Sequence, residues 1–146
     1  MDKYLEPIIN FLENNSDWWT VESEFWLLQY EIVDRMKADN VGIESIQPIL
    51  ELMEKYPLVE FGTPGSLTHF IEDFHTKDAQ FYDNCVVQSV TRNPTVHTVW
   101  LLNRITNGTK PENREQYIQI MRSIYNNQSI HNEIRTATKN FLEYHE

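Results

Sequence analysis

Residues 92–108 read Arg92-Asn-Pro-Thr-Val-His97-Thr-Val-Trp100-Leu-Leu-Asn103-Arg104-Ile-Thr-Asn-Gly108, or RNPTVHTVWLLNRITNG. Spaced 100° apart, Val96, Val99, Trp100, Leu101, Leu102 and Ile105 cover most of a helical circumference. A helix apolar nearly all round belongs at the centre of a bundle. Asn93-Pro94 pairs a capping residue with proline at the first helical position, and Gly108 supplies a stop. His97, Trp100, Leu101 and Arg104 share one stripe, and Asn103 lies close to Val96 and Trp100. Polar groups beside so much apolar surface need partners, so satisfied structural hydrogen bonds are the expected reading.

Outward from this helix the same grammar repeats. Thr63-Pro64 also pairs a cap with proline, thirty residues before Asn93-Pro94, and each start has a threonine four places after the proline, Thr68 and Thr98. A helix–turn–helix unit of an α-solenoid has about that length. Asp78 can cap an intervening helix carrying Phe81, Tyr82, Cys85, Val86 and Val90. Toward the N-terminus, Asp2 can cap a helix burying Tyr4, Leu5, Ile8, Ile9 and Leu12, with Pro7 late in its first turn. A second helix over about 20–37 turns Val21, Phe25, Leu28, Ile32 and Met36 inward, flanked by Trp26 and Val33. Asn40-Val-Gly42 ends it. A third holds Ile46, Ile49, Leu50 and Met53 and stops at Tyr56-Pro57. Pro111 opens a helix with Tyr117, Ile118, Met121, Ile124 and Tyr125 inward, and Ser129 can cap a last one through Ile130, Ile134, Ala137, Phe141 and Leu142. The pattern predicts an all-α chain of about eight helices and no strand. Its expected architecture is one domain over 1–146, of stacked α-hairpins in a short superhelical, HEAT-like bundle.

Composition narrows function. An apolar fraction of 40% and an aromatic fraction of 12% are globular values. No run of apolar residues is long enough to span a membrane, and the opening MDKYLEPIINFLENN does not read as a secretory leader. The one cysteine, Cys85, sits in the apolar run CVV and reads as a buried thiol in a reducing cytoplasm. Net charge is −10, and it is concentrated: residues 1–60 hold thirteen acids against four bases, while residues 61–146 hold nine against eight. Nucleic-acid binding needs the opposite sign. A basic protein partner fits.

The chemistry-bearing motifs are few. There is no GxSxG, no GxxxxGK[ST], no GxGxxG and no HExxH, so no cofactor is implied. His69, Glu72 and Asp73 share a helical face, but without a second histidine they read as a surface charge or hydrogen-bond set rather than a metal site. Arg92-Asn93-x3-His97 fits the R-[NDH]-x3-H pattern of HEPN-type ribonucleases, in which His97 would move protons and Arg92 would stabilise charge developing on phosphorus. Against that, Pro94 inside the motif puts Arg92 ahead of the helix that holds His97. The stretch from Glu13 to Asp34 differs in kind, with six acids and no base around Trp18-Trp19. Adjacent tryptophans on a helix cannot both face inward, so one is expected at the surface, where tryptophan anchors interfaces.

Two blocks, Phe61–Glu72 (FGTPGSLTHFIE) and Asn93–Arg104 (NPTVHTVWLLNR), resemble small helical immunity proteins of bacterial polymorphic-toxin systems, those of contact-dependent growth inhibition among them. The resemblance covers residues 61–108, about a third of the chain. It implies a cytoplasmic protein that is not an enzyme. Such a protein binds a cognate toxin domain, often a nuclease, and covers its active site. It transfers no functional residue. The charge and aromatic pattern then places expected toxin contacts on Glu13, Asp17, Glu24, Glu31 and Asp34, with Trp18 or Trp19 as anchor and Glu72 and Asp73 as a second patch.

Overall fold

The computed structural model describes residues 1–145. These residues form eight α-helices, several of them joined through short 3-10 turns, and no strand occurs among them. The helices are α1 (Asp2–Asn14), α2 (Glu22–Ala38), α3 (Ile46–Lys55), α4 (Ser66–Glu72), α5 (Ala79–Arg92), α6 (Val96–Gly108), α7 (Glu115–Asn126) and α8 (Asn132–His145). The chain divides into two compact units, one of residues 1–52 and 60–82, the other of residues 53–59 and 83–145, with boundaries inside α3 and α5.

In the first unit α1 and α4 each pack on α2. Tyr4, Leu5, Ile8 and Leu12 of α1 are buried, as their spacing predicts. Ile9 of the expected stripe is only half-buried. An aromatic cluster fills the end of the unit: Phe25 stacks on Phe11 and on Trp26 with ring centroids 5.3 Å apart in each pair, and Phe61 and Trp18 tilt against it at 5.6 and 5.8 Å. In the second unit α7 packs on α8, and α6 packs on both. Val99, Leu101, Leu102 and Ile105 of α6 are buried together with His97, Thr98 and Thr106, while Val96 and Trp100 of the expected circumference are only half-buried.

Helix ends differ from the sequence expectation in instructive ways. Met1, not Asp2, is the N-cap of α1. Asp2 is the first helical residue, where its charge still faces the dipole favourably. Pro7 consequently lies in the second turn, where its missing N–H does cost a backbone bond. Neither proline pair starts its helix. After Thr63-Pro64, which is joined by a cis peptide, α4 begins at Ser66 with Gly65 as N-cap. After Asn93-Pro94, α6 begins at Val96 with Thr95 as N-cap. Thr95 and Thr98 form a reciprocal capping box: Thr98 N–H donates to Thr95 Oγ1 at 2.9 Å and Thr95 N–H to Thr98 Oγ1 at 3.1 Å. This cap satisfies two buried donors, while the Asn93 side chain donates to Glu54 instead.

Gly108 does close α6, but the chain leaves through extended Thr109 rather than through a left-handed glycine. Pro111 opens a 3-10 turn (Pro111–Asn113) ahead of α7. Ser129 bonds the Asn127 side chain in the preceding turn, and His131 Nδ1 accepts the Glu133 N–H at the start of α8. Two readings hold in detail. Asp78 Oδ1 accepts the Phe81 N–H at 3.0 Å and caps α5. Asn40, with φ of 56°, lets Val41 N–H reach back to Met36 O, closing α2 with a left-handed cap.

Candidate functional site

The inward row of α2 is rotated from its predicted position. Phe25, Gln29, Ile32, Val33 and Met36 are buried, while Val21 and Leu28 are only partly covered. The rotation follows the packing partner, because Ser66 and His69 of α4 share a cleft wall with Trp26 and another with Val33. The consequence appears on the opposite arc. Leu27 is 57% exposed, Tyr30 62% and Trp19 58%.

These three apolar groups stand among the expected acidic contacts. Glu24, Leu27, Glu31 and Asp34 fall at i, i+3, i+7 and i+10 on α2, and all are exposed. Tyr30 lies beside that row. The tryptophan pair sits on a 3-10 turn (Trp18–Val21) that ends against α2, with the Thr20 N–H and Oγ1 both donating to Asp17 O. Trp18 is half-buried, edge-on to Trp26 at 6.1 Å and to Phe25. Trp19 is the exposed member, edge-on to Trp18 at 6.1 Å. An outward indole resting edge-on against Trp18, itself packed on Phe25 and Trp26, gives up part of its side-chain freedom before it docks. Covering its open surface is worth roughly 3 kcal/mol at the usual apolar coefficient.

Asp17 and Glu13 are exposed near the same end of the unit. The second predicted patch joins the first on one side only. Asp73 lines a cleft of about 380 Å³ with Asp34, Tyr30 and Lys37, whereas Glu72 is half-buried and does not line it. Leu27 and Tyr30 were absent from the sequence expectation, although their spacing from Glu24, Glu31 and Asp34 already put them on the acidic arc.

A second cleft, of about 570 Å³, lies between α2 and the turn leading into α4. Glu22, Trp26, Glu60, His69 and the segment 62–66 line it. Gly62 has φ of +92°, and a Cβ there would stand 2.6 Å from Gly65 Cα; one on Gly65 would stand 2.1 Å from Phe61 O. Only bare backbone folds this tightly. Gln29, on the adjoining row of α2, is fully buried with both amide atoms lacking a hydrogen-bond partner. An unsatisfied buried amide costs on the order of 1–3 kcal/mol.

The polar set of the second unit is arranged otherwise. Glu54 accepts hydrogen bonds from Arg92 Nε at 2.9 Å and Nη2 at 2.7 Å, from Ser89 Oγ at 2.9 Å and from Asn93 Nδ2 at 3.2 Å. Burial raises the Glu54 pKa, but the Arg92, Asn93 and Ser89 bonds outweigh it and hold the carboxyl below the usual carboxylate range. His97 is buried against Trp100, and burial lowers its pKa to about 3. Asn103 Oδ1 bonds His145 Nε2 at 2.7 Å, and Arg104 lies over the Trp100 ring at 4.8 Å. Arg92 ends α5 and His97 lies in α6, so the two residues of the nuclease pattern do not share a helix face. Cys85 is half-buried, and burial pushes its thiol up, away from the nucleophilic form.

Among the described residues no cluster of three or more His, Cys, Asp or Glu side chains is arranged to hold a metal ion, and no helix is long and apolar enough to cross a membrane. Comparison of the chain with protein-family models, with curated proteins and with solved structures finds no match.

Proposed function

We propose that this chain is a cytoplasmic immunity protein that binds a basic toxin domain, a nuclease by class, and neutralises it by covering its active site. The observation that carries the reading is the exposed triplet Trp19, Leu27 and Tyr30 set among Asp17, Glu24, Glu31 and Asp34. Large apolar groups exposed at a charged surface are the anatomy of a protein interface, with the anchors supplying affinity and the acids supplying steering and selectivity. A negative face also suits a groove built to attract phosphates, and occupying that groove excludes the substrate.

The ribonuclease alternative draws no support from its own residues. An imidazole buried and held neutral has no path to a substrate proton, and the Arg92 guanidinium is engaged by Glu54. The test is co-purification with the product of the adjacent upstream gene, followed by rescue of cells expressing that product. A stable complex and restored growth are expected. RNA cleavage by the purified protein, lost in His97→Ala with the fold retained, would overturn the proposal in favour of an enzyme.

A further inference from the structure

We infer that the outward row of α2 seats a helix of the partner, laid along α2 with aliphatic side chains against Leu27 and Tyr30 and with lysines or arginines against Glu24 and Glu31. That this helix belongs to a toxin rests on the function proposed above. The chemistry that selects it does not.

Leu27 lies half a helical circle from the fully buried Met36, since residues advance about 100° each. It is 57% exposed, and Tyr30, three residues on, is 62% exposed. One exposed leucine is ordinary, but two large apolar groups on neighbouring positions of one helical face make a patch.

Charge decides what covers that patch. The unit that contains α2, residues 1–52 and 60–82, holds fifteen acids against four bases, whereas the rest of the chain holds seven against eight. Glu24, Glu31 and Asp34 are exposed, and their carboxylates form no hydrogen bond or ion pair with another described residue. In the other unit Arg92 pairs with Glu54, and Arg122 with Glu115. A second copy of this chain would set the α2 acids against themselves, and like charges across an interface oppose pairing. A basic surface complements them.

The form of the occupant follows from the form of α2. No strand exists among the described residues for an incoming strand to extend. Glu24, Leu27, Glu31 and Asp34 recur along one helix, Glu22–Ala38, at the three- and four-residue spacing with which one helix packs along another. Glu24 and Glu31 stand two turns, about 10.5 Å, apart along the axis, so bases two turns apart on an incoming helix reach both.

The experiment titrates a capped peptide of about 18 residues into isotope-labelled protein and follows the α2 backbone amides by NMR. The peptide is built of leucine, alanine and lysine, with one apolar face and lysines two turns apart beside it. Saturable shifts from Glu24 to Asp34 are expected. Affinity is expected to fall at least about tenfold for Leu27→Ser, Tyr30→Ser and for Glu24→Gln, Glu31→Gln. Tm should hold in both, because all four side chains are exposed. A shuffled peptide without the apolar face, one with a central proline, and one with glutamate for lysine are each expected to bind at least about tenfold more weakly. Equal affinity for any of these peptides, wild-type affinity in either double variant, or shifts confined to other elements would overturn the inference. So would a dimer of the protein alone that Leu27→Ser, Tyr30→Ser abolishes, because a second copy would then cover the face. Since the probe is not the toxin, the two proposals fail separately. Peptide binding on α2 by a protein that rescues no cell sinks the immunity reading alone, and a flat titration with a protein that does rescue cells sinks the helix alone.

Discussion

Acidification tests directly whether His97 is part of the core or of an active site. Its folded pKa is about 3, whereas a free imidazole titrates near 6.5. A group whose folded pKa is depressed stabilises the fold above its unfolded pKa, and that stability is lost as pH falls. For His97 the window therefore runs from about pH 6.5 down to about pH 3. Each pH unit inside it is worth about 1.4 kcal/mol, so going from about pH 7.5 to about pH 5 removes roughly 2 kcal/mol. Urea unfolding of the wild type and of His97→Gln at both pH values isolates the effect, because the other titrating groups are common to both. The wild type is expected to lose roughly 2 kcal/mol more than the variant across that interval. Identical losses would mean that the imidazole takes up its proton in the folded state, which returns it to the list of acid–base catalysts and removes the main structural objection to a nuclease.

Glu54→Gln removes a charge that satisfies Arg92, Ser89 and Asn93 at once, and is expected to cost about 2–4 kcal/mol in urea unfolding. The folded Glu54 pKa is depressed, so its contribution is complete above about pH 4.3 and vanishes as pH falls through the lower folded value; this acid limb should be missing from the variant. Thr95→Ala opens the capping box of α6 and should lower stability by about 1 kcal/mol, read as a shift in urea midpoint at unchanged slope. Gly62→Ala forces a Cβ into the space of Gly65 at a positive φ and is expected to cost about 1–3 kcal/mol, with the Trp26 indole resonance moving as the cleft wall shifts.

Much of the fold was legible because helical burial is periodic. Most of the rows of α1, α3, α6 and α7 follow from spacing, with Ile9, Val96, Trp100 and Tyr125 only half-buried, and Asp78 caps α5 as expected. The helix starts expected at Thr63-Pro64 and Asn93-Pro94 lie two residues too early, since proline marks where a helix is permitted, not where the cap is satisfied. At α6 the buried pair Thr95–Thr98 decides the start through hydrogen bonds that act only once the segment is inside. The candidate site was half legible. Charge runs and the Trp18-Trp19 pair stand out in one dimension. Leu27 and Tyr30 do not, because whether an apolar residue on an amphipathic helix faces out depends on which side its neighbour covers. The packing of α4 turned the row by about one residue, burying Gln29 and exposing Leu27. The 62–65 turn read as punctuation, and its role as a cleft wall exists only in three dimensions.

The central claim is that the α2 face with Trp19 is the binding surface, and the most direct measurement is the dissociation constant of the complex with the co-purifying partner at low and high salt. Wild type is compared with Trp19→Ala and with the triple variant Glu24→Lys, Glu31→Lys, Asp34→Lys. Trp19→Ala is expected to weaken binding at least about thirtyfold, equivalent to about 2 kcal/mol, with Tm unchanged. The charge reversals should weaken binding and abolish its decline with salt. Wild-type affinity and an undiminished salt dependence in both variants would contradict the account and place the interface elsewhere on the molecule.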